Sequence, residues 1–566
     1  MKLSKRFIGI GLAALAALVI GLALFSSGTR VPNSSILVME LSGELPDAPS
    51  SGALPFLGAR SLSLPTLILQ LDKTAADSRV VGVLLHIRSL RAGYAQVQEL
   101  RDAIARVRDA GKKVVSLIDT ATLNASGQLY LASAADQVYL VPAFLGPFAG
   151  VRGEFMSLGG FFEKVGIDVE YARVGKFKSG PEMFANREMS QPARENAHEL
   201  IDGLYGQMVA GIAHSRSLSE EKLHQIIDSA PSTGRAYLEA GLADGIADRK
   251  SVLEAAGLGE SEEVELGDYL HVDPRTLGLR TGPKIALVFG HGTIVPGSGS
   301  RSTRGFAADR IQEALEQAAE SDDVRAIVLR IDSGGGSGLA SDQLWREVQR
   351  IREEIPVVVS MGNAAASGGY YIASGASAIV AQPSTITGSI GVYMLRPSFG
   401  PLYEKLDIRT EIIARGDYAP LDTSSRKLTD DERERLQLLV DSFYTEFLDR
   451  VATGREMATE AIDSLGQGRV WLGDAALARG LVDAHGGLHK AVELAKAEAG
   501  IEPEADPQRV VYPPPPTFAE QLQDLLSSQI RAELPEPIRW PARFDQLLAL
   551  REVTLACIPP FWLDFD

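Results

Sequence analysis

The residues of this chain whose types and spacing suggest chemistry fall in three short stretches. The first is MGNAAASGGYYIAS (361–374), where Ser367 sits between Ala364–Ala366 and Gly368–Gly369, directly after the strand-like run PVVVS. Removing bulk around a hydroxyl leaves room for a substrate backbone, but tight helix–sheet packing selects the same small residues, so this stretch alone supports both readings. The second is Asp332-Ser333-Gly334-Gly335-Gly336-Ser337-Gly338, after the apolar run RAIVLRI. Consecutive glycines at a strand-to-helix turn leave backbone N–H groups unobstructed. Such donors bind phosphate or the oxyanion of an acyl-transfer intermediate. A dinucleotide fingerprint running from Gly336 and Gly338 fails at Ser341, where Gly or Ala is required. The third stretch is VGKFKSGPE (174–182), with Lys176 and Lys178 following VEYARV. It reads either as a solvated basic turn or as the source of a general base.

A nucleophilic serine needs a base, and no histidine lies in any of these stretches. His86 falls inside an apolar run and reads as a core or supporting residue. Serine–lysine pairs are an established variant of the serine–histidine arrangement. The lysine must be neutral to accept the hydroxyl proton, and burial between two domains lowers its pKa by penalising the charged form.

What must position these residues is an internal duplication. The first copy runs VVGVLLHIRS (80–89), YAQVQELRDAIARVRDAG (94–111), KKVVSLID (112–119) and NASGQLYLASAADQVYL (124–140). The second runs VRAIVLRIDS (324–333), LASDQLWREVQRI (339–351), PVVVSMG (356–362) and AAASGGYYIASGASAIV (364–380). Each copy opens on a strand-like segment, SSILVMEL (34–41) or PKIALVFG (283–290). Each closes on a related motif, GRAYLEAGLADGIAD (234–248) or GRVWLGDAALARGLVD ending at 483. Val/Ile/Leu runs alternating with amphipathic helices predict parallel strands covered on both faces, hence two tandem α/β domains. The seam falls in the Gly/Pro/Thr-rich HVDPRTLGLRTGP (271–283). We expect an N-terminal repeat over 34–275, a C-terminal repeat over 283–500 and a Pro-rich tail over 501–566. That tail reads either as a disordered extension or as a segment whose apolar FWLDF end occupies a groove or touches a membrane.

Aligning the copies pairs Ser126 with Ser367, Lys176 with Asp417 and Lys178 with Ala419. The first half has the lysine but carries Leu90-Arg91-Ala92 where the glycine turn belongs. The second half has the serine and the glycines but no lysine. Complementary losses of this kind are what one site shared across two diverged domains leaves behind.

Among the 566 residues, 45% are apolar and 23% charged, as in ordinary globular proteins. The net charge of −17 is spread along the chain and argues against a nucleic-acid footprint. The single Cys557 excludes an internal disulfide framework, and eight scattered histidines show no zinc-ligand spacing. Lys2, Lys5 and Arg6 form a basic segment (1–6) before an uncharged run, Phe7–Phe25, long enough to span a bilayer. Its length and the lack of an A-x-A end favour a retained anchor over a cleaved signal. The preceding positive residues place the body outside the cytoplasm, as in a bacterial inner-membrane protein facing the periplasm.

With these motifs in hand, the chain resembles the signal peptide peptidase A family in its long, duplicated, membrane-anchored bacterial form, from the anchor to about residue 500. That family has a Clp-protease/crotonase-like fold. The motif A-A-S-G-G-Y, within Met361–Tyr370, implies Ser367 as nucleophile. G-x-[YF]-K-S-x-x-E, matched by Gly175–Glu182, implies Lys178 as general base. T-G-S-I-G, matched by Thr387–Gly391, implies that Ser389 orients the lysine amine; read without the resemblance, Ser389 is a helix cap. The family has S-P-G-G at the oxyanion turn where this chain has Ser333-Gly334-Gly335-Gly336. Gly335 and Gly368 are the expected N–H donors, with Gly336 an alternative. The resemblance further implies a serine endopeptidase acting on hydrophobic peptides such as cleaved signal peptides, assembled as a homotetramer and needing no metal or organic cofactor. The competing readings are a crotonase-type acyl-CoA enzyme and an inactive membrane quality-control scaffold.

Overall fold

The apolar runs fold as expected of strands buried on both faces. In the computed structural model, which describes residues 31–48, 62–299, 304–514 and 556–557, the first half builds a six-stranded parallel sheet. Its strands are β1 (Ser35–Glu44), β2 (Val80–Arg91), β3 (Lys113–Ile118) and β4 (Gln137–Leu140), then, beyond β5 (Asp168–Val174), which lies outside it, β6 (Gly245–Ile246) and β7 (Glu262–Glu265). Their order is β6-β4-β3-β2-β1-β7. The second half repeats this plan around β8 (Lys284–His291) and β9 (Val324–Ser333), the latter followed by the short β10 (Gly336–Ser337), and β11 (Val357–Ala366). It continues through β12 (Ala378–Ala381), β13 (Ile386–Gly388), β14 (Val392–Ser398), β15 (Val470–Leu472), β16 (Ala484–His485) and β17 (Gln508–Tyr512). Here the order is β15-β13-β11-β9-β8-β17, with β12 also pairing β11 and β16 pairing β12. The edge strand β17 stands against β8 as β7 stands against β1, so residues just past 500 still belong to the second sheet.

The duplication is structural as well as sequential. Helix Gly159–Val165 has its counterpart in Gly400–Lys405, and the 26-residue helix Gln191–Arg216 in the 26-residue Asp430–Arg455. Both long helices begin at a hydroxyl cap: Ser190 accepts from Ala193 N, and Thr429 accepts from Glu432 N.

Each half has a main hydrophobic core, and the halves are fused. Val470 and Leu472 of β15 pack into the core of the first half, and Asn196 exchanges two hydrogen bonds with the Val470 backbone at 2.9 Å. The buried Arg330 on β9 binds Asp47 (2.7 Å) and Glu99 (2.8 Å), both from the first half. Buried charges persist only when paired in this way. β5 also crosses over, pairing antiparallel with β14. A small third sheet results, in the order β10-β18-β14-β5, where β18 is Ala556–Cys557.

The candidate span Phe7–Phe25 lies outside the described residues. Among the described residues, no helix is long and apolar enough to cross a membrane.

Candidate active site

Ser367 joins β11 to the helix Gly368–Ala373 through a backbone of φ 54° and ψ −113°. A positive φ is rare outside glycine and stores on the order of 1–3 kcal/mol. The bend is held from both sides: Ser367 N donates to Gly388 O, and Tyr371 N donates to Ser367 O, each at 2.8 Å. Small neighbours are required here. A Cβ on Gly368 would lie 2.6 Å from Ser341 Oγ, and one on Gly369 3.1 Å from Ser333 O.

The crossing strand brings the lysine. In the β5–β14 ladder Val174 lies opposite Val392 and Asp168 opposite Ser398. That register delivers the residues after Val174 to the turn before Val392, which holds Ser389. The chain bends at Gly175 (φ +103°), Phe177 N donates to Gln467 O at 2.9 Å, and Lys178 follows. Lys178 Nζ then lies 2.6 Å from Ser367 Oγ, 2.9 Å from Ser389 O and 3.0 Å from Ser389 Oγ. All three residues are 0% exposed. Ser389 has φ 53° in the turn between β13 and β14 and begins no helix. Lys176, by contrast, is exposed beside the Phe177 ring. The Glu182 carboxylate is engaged by Arg173 (2.5 Å) and by Ser190 N (3.2 Å).

The glycine turn lies against the same helix start. Gly335 N donates to Ser333 Oγ at 3.0 Å, and Ser333 Oγ donates to Gly292 O at 2.6 Å. The Gly335 N–H is thereby turned onto its own loop. Gly336 N lies 3.3 Å from where a Cβ on Gly368 would stand, so the glycine turn packs directly against Gly368. β10 also pairs antiparallel with β18, Gly336 facing Cys557 and Ser337 facing Ala556, while β14 flanks β18 through Tyr393. Ala556–Cys557 thus lies as an added strand between β10 and β14.

Three contributors have no role assigned from sequence, one outside the motifs and two, Ser333 and Asp332, within the glycine-turn stretch. Gly468 (φ +74°) is pressed onto the lysine: a Cβ there would stand 2.4 Å from Lys178 N and 2.6 Å from Lys178 Cα. The loop 466–469 also fastens the serine turn, since Ser389 N donates to Arg469 O and Gly468 N to Ile390 O, each at 2.7 Å. Its only sequence signal is Gly466-Gln467-Gly468, ahead of the closing repeat motif. Ser333 is the second, as the anchor of the glycine turn. Asp332 is the third. Burial raises its carboxyl pKa to about 7, with nearby Asp47 adding to the shift, while its Oδ1 accepts from Ala364 N at 3.0 Å.

The corresponding place in the first half is built differently. Ser126 is buried and its Oγ accepts from Gly150 N at 3.0 Å. Phe148 stands where the second half has Ser389. A cavity of about 390 Å³ adjoins Ser126, lined by Tyr94, Leu123, Gly127, Tyr130 and Val151 among others. His86 is buried on β2, its Nε2 3.0 Å from Asp119 Oδ2.

The model of peptidase family S49 matches residues 106–261 and 349–502. The chloroplastic serine protease SPPA of Arabidopsis thaliana is 35% identical over 483 residues, covering 83% of this chain and 70% of that protein. Protease 4 of Salmonella typhi is 30% identical over 536 residues, covering 89% and 84%. Among solved structures, a serine-to-alanine variant of the 1510-N membrane-bound stomatin-specific protease matches at 15% identity and a TM-score of 0.27, over 41% of this chain and 99% of that one. These relatives set aside the acyl-CoA and scaffold readings: the chain belongs to peptidase family S49 and is a serine peptidase.

Proposed function

We propose that this peptidase works through a Ser367–Lys178 dyad, and that it is a membrane-anchored endopeptidase for hydrophobic, extended peptides such as cleaved signal peptides. The observation that carries the reading is the 2.6 Å approach of Lys178 Nζ to Ser367 Oγ, both buried, from opposite halves of the chain. Burial penalises the ammonium form. A neutral amine has two N–H groups and one lone pair. It donates to Ser389 O and Ser389 Oγ, which leaves the lone pair for the Ser367 proton.

In this mechanism Ser367 Oγ attacks the scissile carbonyl carbon as its proton passes to Lys178 Nζ. The carbonyl oxygen becomes an oxyanion held by the Gly368 N–H together with Gly336, in preference to Gly335, whose N–H is turned onto Ser333. Lys178 returns the proton to the leaving amine, giving an acyl-enzyme. Water, deprotonated by the same amine, then releases the acid and restores Ser367. The strand slot between β10 and β14 supports an extended substrate, bound by main-chain hydrogen bonds. The two repeats (34–275 and 283–500) serve as the domains that hold the two halves of the dyad. The run Phe7–Phe25 serves as the anchor, with the body on the periplasmic side.

The purified full-length chain should cleave an apolar reporter peptide, and Ser367→Ala and Lys178→Ala should each abolish cleavage. Activity retained in either variant sinks the dyad. Ser126→Ala should turn over near normally. The pH–rate profile should rise well below the range of a free lysine, and a limb in that range contradicts the buried amine.

A further inference from the structure

Lys178 follows a turn that rests on Gln467. Phe177 N donates to Gln467 O at 2.9 Å, and a Cβ on Gly175 would stand 2.4 Å from Gln467 C. Gln467 is itself held in a conformation that its type disfavours. Its φ is 51°, a left-handed value at the one residue between Gly466 and Gly468 that has a Cβ. Such a backbone persists only where its surroundings over-determine it. The restraint here is a phenol. Tyr444, on the helix Asp430–Arg455, is buried in the core of the second half. Its hydroxyl donates to Asp463 Oδ1 at 2.5 Å, and it accepts from Gln467 N at 3.3 Å and from Gln467 Nε2 at 3.4 Å. Gln467 Nε2 donates to the same Asp463 oxygen at 2.5 Å. Asp463 belongs to the helix Thr459–Leu465, which ends just before the loop. A Cβ on Gly466 would stand 3.3 Å from Tyr444 Oη, so the phenol reaches the loop past a glycine. Burial, with the bond to Asp463 adding to it, pushes the phenol pKa up and keeps it a donor.

We propose that Tyr444, seated on Asp463, is a positioning residue for the general base. It fixes the Gln467 backbone, and the Gln467 carbonyl fixes the turn that carries Lys178. The inference rests on the reading of Lys178 as the base. The second half then supplies both the nucleophile and the support for a lysine that the first half contributes. The other copy shows what this support adds. At the interval that carries Gln191 to Asp430, and the left-handed Ser217 to the left-handed Glu456, Tyr444 matches Tyr205 and Asp463 matches His224. That pair is also bonded, Tyr205 Oη lying 2.8 Å from His224 Nδ1. No strained loop rests on it, however. Thr233, which precedes Gly234 as Gln467 precedes Gly468, has φ −118° and caps the helix Gly234–Glu239. The bonded pair is common to both copies, and its grip on a left-handed residue belongs to the half that meets the lysine.

Tyr444→Phe in the full-length chain removes one oxygen and tests the role. With an apolar reporter peptide, kcat should fall about tenfold and KM should hold, since about 1 Å of misplacement costs about 10²-fold and the other hydrogen bonds of the loop remain. Asp463→Ala should fall equally, and the double variant no further, because the two act as one unit. Asp463→Asn keeps the accepting oxygen and should turn over near normally. Tyr237→Phe is the control: it loses a buried phenol bond to Gly146 O of 2.8 Å in the first half, and should lower thermal stability without changing kcat. Normal kcat in Tyr444→Phe, a loss confined to KM, or an equal fall in Tyr237→Phe overturns the proposal. So does an Asp463→Asn variant as impaired as Asp463→Ala. If Lys178→Ala is inactive, any of these results strikes the positioning role alone; if Lys178→Ala is active, the base reading falls and this inference with it.

Discussion

Gly468→Ala separates the geometry of the dyad from its chemistry, because it removes no functional group. Two costs follow from the structure. Gly468 has φ +74°, where an L-residue is disfavoured by about 1–2 kcal/mol. Its new Cβ would also stand 2.4 Å from Lys178 N and 2.6 Å from Lys178 Cα and Cβ, against an ordinary contact of 3.4 Å or more. The lysine turn must therefore retreat by about 1 Å, and Nζ is carried off its 2.6 Å approach to Ser367 Oγ. A 1 Å misplacement of a reacting group costs roughly 10²-fold, or about 2.7 kcal/mol of barrier. We expect kcat/KM for an apolar reporter peptide to fall about a hundredfold, mostly in kcat, with the fold retained. Gly278→Ala is the matched control, since Gly278 has the same φ of +74° but nothing within 4 Å of a new Cβ. It should show the conformational cost in thermal stability and leave turnover unchanged. Near-normal turnover in Gly468→Ala, or an equal loss in Gly278→Ala, would refute the reasoning.

Ser389→Ala removes one acceptor of the lysine amine while Ser389 O remains; kcat should fall by about 10- to 100-fold with KM little changed, and a rise in KM alone would argue for substrate binding instead. Asp332 has its folded pKa raised, from 3.8 to about 7, so the folded state binds the extra proton and stability from this group falls as pH rises through roughly 4 to 7. Asp332→Asn should flatten that slope in thermal melts across pH 4–8, and an unchanged slope would remove Asp332 as its cause. Arg330→Met leaves Asp47 and Glu99 buried without their guanidinium, which should cost about 3–5 kcal/mol in urea unfolding at pH 7; a loss under 1 kcal/mol would mean that water reaches the pair.

The sequence by itself determined the central strands, their parallel alignment and the duplication, because burial on both faces writes continuous Val/Ile/Leu runs such as RAIVLRI and VVGVLL. It also pointed to Ser367 and Lys178, through motifs whose losses were complementary between the repeats. What only the tertiary structure decided is how residues 189 positions apart come to touch. That depends on β5 crossing to β14 in one register, and register is set by the packed surface, not by any local pattern. The same holds for Gly468, whose lack of a side chain matters only because Lys178 lies against it. It holds too for Gly335, expected from the family resemblance as an oxyanion donor, whose N–H is directed to Ser333 Oγ. Local sequence writes which residues are buried and which can bend; contact across a fold is a property of surfaces that exist only once both halves have been packed together.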